Sequence, residues 1–119
     1  MHEYDDDNIF LKIINHEIPC DKIFENDDFL CFRDIAPQAP IHLLLVSKNK
    51  KVPSLANVVK EDASWLGEMI VLSTQIAKDQ GLDLSGYRLV INCGHEAGQT
   101  VYHLHLHIIG GKKLSGSMT

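Results

Sequence analysis

His103-Leu104-His105-Leu106-His107-Ile108-Ile109 is the stretch on which the reading of this chain turns. Histidine and apolar residues alternate with a period of two. Strand side chains point to opposite faces in turn, so a strand here gathers all three imidazoles on one face. Leu104, Leu106 and Ile108 take the other. The apolar side asks for a core. The histidine side gives up core packing, which points to catalysis or metal binding.

Working outward, the predicted strand runs from Val101 to Ile109 and is broken by Gly110-Gly111. A loop from Cys93 to Thr100, holding Gly94 and Gly98, precedes it, and a strand from Tyr87 to Asn92 precedes the loop. Glu61 to Gln80 is the one long helix: Leu66, Met69, Ile70, Ser73, Ile76 and Ala77 recur at i, i+3, i+4 spacing, with Ala63 and Trp65 as possible extensions of the stripe. Gly81 suits the left-handed position past its end. Further upstream, Lys22–Glu25 and Phe29–Arg33 read as a hairpin across a turn at residues 25–28. Two prolines make 34–40 an extended loop. Ile41 to Ser47 is a third strand, with His42, Leu44 and Val46 on one face. A short helix begins near Asn8, carries Ile9, Phe10, Ile13 and Ile14, and stops before Ile18 because Pro19 follows. Short connections between successive strands imply an α+β fold, a five-stranded antiparallel sheet with one long and one short helix.

Composition bounds the function. The 119 residues make one domain, 1–119, with 45% apolar content, enough for a packed core. Residues 1–7 read as a loose acidic tail and residues 112–119 as a flexible end. Eleven basic against sixteen acidic residues leave a net charge of −5 and no basic stripe, so nucleic acid is not an expected partner. A small anion remains possible through backbone N–H groups and imidazoles. No apolar run reaches the ~20 residues of a membrane span. The acidic start lacks the basic and apolar regions of a signal peptide. Cys20, Cys31 and Cys93 are odd in number and show no metal spacing, which favours a reducing compartment, the cytoplasm.

Three readings of His103, His105 and His107 stay open on the residues alone. They are solvated surface histidines; or two of them, with His42, share a zinc ion; or one is a nucleophile. A neutral imidazole attacks phosphorus near pH 7 and yields a phospho-imidazole that water then opens, splitting one hard displacement into two easier ones. That chemistry needs a fixed tautomer, donors on the phosphate oxygens and a proton for the leaving group. Gly98 and Thr100 lie directly before the histidines, and Asn92 ends the preceding strand. Asp34 can accept the hydroxyls of a ribose, although loop capping explains it equally. Phe10, Phe32 and Ile35 can wall a base pocket, although each also suits a core.

The stretch 103–109 resembles the H-φ-H-φ-H-φ-φ signature of the histidine triad family, where φ is apolar. The longer string Gly98-Gln99-Thr100-Val101-Tyr102-His103-Leu104-His105-Leu106-His107 resembles its Hint branch, the nucleotide-binding histidine triad proteins. So do Ile9-Phe10, Lys12-Ile13-Ile14, Glu17-Ile18-Pro19 and Phe32-Arg33-Asp34-Ile35-Ala36-Pro37-Gln38-Ala39-Pro40, followed by His42. The resemblance runs from about Asn8 to Gly111. It implies a homodimer whose sheets join, binding of a purine nucleotide (AMP-like), and hydrolysis of purine nucleoside phosphoramidates with no cofactor and no metal. It implies His105 as nucleophile, His107 on the phosphate, and His103 and His42 as supports. Thr100 stands near the leaving group, where the branch commonly has serine. Asp34 falls on the ribose, and Ile35, Phe32, Phe10 and Ile9 surround the base. Arg33 is counted with the nucleotide site, and Asn92, Gly98 and Gln99 line its phosphate and ribose side. Dinucleoside polyphosphate cleavage and a nucleotide sensor or scaffold with little turnover are the alternatives. Cys93 and Ala97 depart from the acidic residue and glycine often found in this loop, and the 112–119 tail lacks the tryptophan some members carry.

Overall fold

A computed structural model of the chain describes residues 2–116. The elements are α1 (Ile9–Ile14), β1 (Lys22–Glu25), β2 (Phe29–Arg33), β3 (Ile41–Ser47), α2 (Ala63–Asp79), β4 (Tyr87–Val90) and β5 (His105–Gly110), with single 3-10 turns at Leu55–Asn57, Lys60–Asp62 and His95–Ala97. The strands form one sheet in the order β1-β2-β3-β5-β4, every pair antiparallel. The α+β architecture expected from the sequence is the one observed.

Alternation divides the sheet into two faces. Phe29, Cys31, Leu43, Leu45, Leu104, Leu106 and Ile108 point to one side, where Trp65, Met69, Ile76 and Ala77 of α2 cover them. Leu30, Phe32, Leu44 and Val46 point to the other and meet Phe10, Leu11, Ile13 and Ile14 of α1. Helix α1 is too short to hold itself together in water and depends on this packing. Asn8 caps it, its side-chain oxygen accepting from Leu11 N–H at 2.9 Å. Helix α2 ends where Gly81 adopts φ 78°. There Gly81 N–H bonds the Lys78 carbonyl and Leu82 N–H bonds that of Ala77, both at 2.9 Å, which satisfies two carbonyls the helix would leave open.

Several boundaries differ from the sequence reading. Strand β5 begins at His105 rather than Val101. The last pair across β3 is Val46–His105; beyond it β3 turns away, with Lys48 N–H on the Asp28 carbonyl, and Leu104 N–H finds Val52 instead. Residues 101–104 therefore have no strand beside them. Strand β4 stops at Val90, whose partner is His107. Gly110 belongs to β5, paired with Ile41 and Tyr87, and is glycine where a side chain would meet Leu82 at 2.9 Å; the break comes at Gly111, φ 92°. Ile70 is 46% exposed and outside the buried stripe of α2, where Trp65 takes a place.

The acidic N-terminal segment is not the loose tail expected. Lys51 pairs with Asp6 at 2.9 Å, Asn57 donates to the His2 carbonyl at 3.0 Å, and His2 stacks on Tyr102 with ring centres 3.6 Å apart. At the other end Arg88 donates to the Ser115 carbonyl at 2.8 Å; the expectation of flexibility for residues 117–119 falls outside the described residues. The three cysteines are unpaired. Among the described residues no helix is long and apolar enough to cross a membrane.

Candidate active site

Strands β3 and β5 place the histidines. His105 and His107 alternate with Leu106, so they share the α1 face of the sheet, and His42 on β3 reaches the same face. His103 lies just ahead of the strand and is almost fully buried, at 1% exposure. A cavity of about 310 Å³ opens beside His105 and His107. Ile9, Phe10 and Ile13 of α1 wall it, with Phe32, Arg33, Asp34 and Ile35 at the end of β2, and Thr100 and Val101 before β5. Phe10 meets Phe32 edge to face at 5.6 Å and His105 at 4.8 Å.

Hydrogen bonds decide where each ring proton sits. His103 Nε2 is 2.9 Å from the Ser47 carbonyl, which can only accept, so Nε2 carries the proton. His105 Nδ1 is 2.8 Å from the His103 carbonyl and is protonated by the same logic. His105 Nε2 then keeps its lone pair. No side-chain nitrogen or oxygen buried from solvent lacks a partner among the described residues, so this unpartnered nitrogen reaches open space. Gln38 N–H donates to His42 Nδ1 at 3.0 Å, leaving the proton of His42 on Nε2. That proton points at His107 Nδ1, 2.9 Å away, with Asp34 Oδ2 at 3.4 Å. His107 Nδ1 is thus an acceptor, and its own N–H is Nε2. The two rings on the cavity differ: His105 offers a lone pair and His107 a donor.

Burial keeps these rings neutral. Desolvation holds His103 down at about 4. His107 is also at about 4, again chiefly through desolvation, with His105 and His42 adding repulsion. His105 is lowered by desolvation too, opposed by the His103 carbonyl and by Asp34.

Asp34, His42 and His107 bring one ligand atom each within 4.8 Å of one another, the one such group among the described residues. A metal on His42 Nε2 would force the proton of that ring onto Nδ1, against the Gln38 N–H that already donates there. The trio is therefore arranged to share a proton and fits an ion poorly.

The other sequence candidates separate. Thr100, Asp34, Ile35, Arg33, Ile9, Phe10 and Phe32 lie on the cavity. Asp34 also caps its own loop, accepting from Ala36 N–H at 2.8 Å, and Arg33 pairs with Asp21 at 3.1 Å. Asn92, Gly98 and Gln99 are not on the cavity wall. Asn92 donates to the Ala97 carbonyl at 2.8 Å. The Gln99 amide is spent on Gly94, Pro53 and Val101. Gly98 is required by its left-handed φ of 83°. These three shape the loop that delivers Thr100. The sequence reading missed Ile13, Pro19, Cys20, Asp21, Leu44 and Val101 on the wall. Ile13, one helical turn from Ile9 and Phe10, and Leu44, on the strand face of His42, were the two with a usable signal.

Comparison with known proteins agrees with this geometry. A family model described as scavenger mRNA decapping enzyme C-terminal binding matches residues 7–119. An uncharacterized HIT-like protein of Synechocystis is 47% identical over 110 residues, 92% of this chain and 95% of that one. The purine nucleoside phosphoramidase of Escherichia coli K12 is 42% identical over 109 residues, 92% of this chain and 91% of its own. Among solved structures, a histidine triad protein from Clostridium difficile superimposes with a TM-score of 0.89 at 42% identity, covering 98% of this chain and 99% of its own. A HIT family hydrolase from Legionella pneumophila gives 0.89 at 40% identity, covering 92% and 97%. The alternating histidines, the sheet that carries them and these relatives lead to one conclusion: the chain belongs to the histidine triad (HIT) family.

Proposed function

We propose that this protein is a hydrolase of purine nucleoside phosphoramidates, with His105 as the nucleophile. The observation that carries the reading is the pair of ring states on the cavity, a free lone pair on His105 Nε2 beside an N–H on His107. His105 Nε2 attacks the phosphorus, the P–N bond breaks, and the amine leaves with a proton taken from solvent in the open cavity, which the later attack of water returns. Water then attacks the nucleotidyl-imidazole, giving the monophosphate and the free ring. His107 stabilises charge on the phosphate oxygens through its Nε2–H. Thr100 stands on the cavity wall beside Val101, suited to the leaving-group side. Phe10 and Phe32 offer faces and edges for a flat base, and Asp34 offers a carboxylate to the ribose. The name of the Escherichia coli relative supports the substrate class. This reading uses no metal, in keeping with the proton-sharing arrangement of Asp34, His42 and His107, and its expected outcome is that chelator leaves turnover intact.

Strand β4 ends the sheet with one side unpaired. Its four residues are all half-buried, and the described surface includes exposed Val71 and Leu84. An edge of this kind favours pairing with a second copy.

The test is His105→Ala assayed with an adenosine phosphoramidate and with a dinucleoside polyphosphate. Turnover of the phosphoramidate falls about 10⁴-fold or more, while AMP binding and folding persist. Full turnover in the variant contradicts the nucleophile. A strong preference of the native protein for the polyphosphate contradicts the substrate class.

A further inference from the structure

The nucleophile is oriented by the carbonyl of His103, yet His103 stands outside β5, where no ladder of strand hydrogen bonds fixes the backbone. The Leu104 N–H of the same peptide donates to the Val52 carbonyl at 2.8 Å, and the His103 ring adds a second anchorage. That ring is tied at both nitrogens. Nε2–H donates to the Ser47 carbonyl at the end of β3. Nδ1, which therefore has a lone pair, lies 2.6 Å from the Tyr4 hydroxyl. The two rings meet edge to face at 5.7 Å. Desolvation raises the pKa of the Tyr4 phenol, so its proton is present at neutral pH and the hydroxyl is the donor.

We propose that Tyr4 is a positioning residue of the active site: by donating to His103 Nδ1 it fixes the residue whose carbonyl holds the His105 proton on Nδ1. The chain of bonds runs Tyr4 hydroxyl to His103 ring, then His103 carbonyl to His105 ring. Without the hydroxyl, a lone pair on a ring at 1% exposure loses its partner. An unsatisfied buried acceptor is costly, so the ring tilts toward another donor while keeping its tautomer, because a proton moved to Nδ1 would leave the Nε2 lone pair against the Ser47 carbonyl. The tilt displaces the carbonyl, and His105 then spends part of its time with the proton on Nε2, where it cannot attack.

The segment bearing Tyr4 is anchored well enough to act this way. Asp6 pairs with Lys51, and Lys51 sits 5.9 Å above the Tyr4 ring. The His2 carbonyl accepts from Asn57, and the Asp5 carbonyl accepts from Asn8 at the cap of α1. The acidic stretch that reads as a tail is thus a strap laid from α1 to the start of the histidine strand. None of its residues touches the cavity beside His105, so its influence passes through His103.

The inference rests on His105 being the nucleophile, and the experiment separates the two. Tyr4→Phe removes one oxygen and keeps the ring contacts, so the fold survives. Side-chain nitrogen NMR of the free protein, with histidine labelled, reads the tautomers without any substrate. The expected result is that His103 Nδ1 moves to the position of an unbonded imine nitrogen and that His105 shows a mixture of tautomers. In parallel, kcat falls about five- to tenfold, with KM changed less than twofold. Unchanged histidine spectra overturn the proposal, as does a drop in melting temperature with kcat and spectra unaltered. Altered spectra with unaltered kcat also overturn it, because positioning would then have no consequence for the reaction. If no phosphoramidate is turned over by the native protein, the proposed function fails, and the spectra still report on the bond.

Discussion

The two faces of the sheet come from the same strands by the same alternation, yet they are put to different uses. Under α2, Leu43, Leu45, Leu106, Ile108 and Met69 are sealed from solvent. Under α1, the cluster around Phe10, Phe32, Leu44 and Val46 is interrupted by histidines and opens into a cavity. One face supplies stability so that the other can keep neutral imidazoles in a half-dry cleft. A strand with histidine at every second position is affordable because its remaining residues are among the most deeply buried in the chain.

The sharpest way to break this division is to damage the apolar face alone. Leu106→Ala removes a sealed side chain between two histidines. The expected loss is about 3 kcal/mol of stability, read as a lower urea midpoint, with kcat unchanged well below the melting temperature. If kcat falls as much as stability, the faces are not separable. Counted per side chain, the next effect in size belongs to the histidine face. In the folded state His103 and His107 are held at about 4, against an ordinary 6.5. Between these values the unfolded chain takes up protons that the folded chain refuses, so stability falls as the pH drops through that window. From His103 alone the loss is about 2 kcal/mol at pH 5. A urea midpoint equal at pH 7 and pH 5 contradicts the buried state of the rings. The smallest effect is at the cap. Asn8→Ala costs about 1 kcal/mol, with weaker AMP binding in calorimetry because α1 carries Phe10 and Ile9 to the cavity. A loss as large as that of Leu106→Ala would place α1 in the main core.

What the sequence disclosed follows the same division. Period two in residues 104–108 and 43–46 gave both faces, and the i, i+3, i+4 rhythm gave α2. These signals are local. The bounds of β5 were not, because they depend on where β3 turns away. Gln99 and Asn92 look like ligand-binding residues in sequence, and only the folded loop shows their amides consumed by backbone carbonyls. Tyr4 and His103 are 99 residues apart, and no pattern within the N-terminal segment announces that bond. The identity of the three histidines was legible, but their ring states were not. Those depend on the Ser47 and His103 carbonyls and the Gln38 N–H, backbone groups that every sequence possesses and only a fold can aim.

The central claim is that the His105 lone pair forms a transient bond to phosphorus. Rapid quench of a reaction with an adenosine phosphoramidate into denaturant at alkaline pH, followed by mass spectrometry of the chain digested without acid, tests it most directly. The account predicts an adenylyl group on His105, absent from the His105→Ala variant. Rapid turnover with no adduct, or an adduct on His103 or His107, would contradict it.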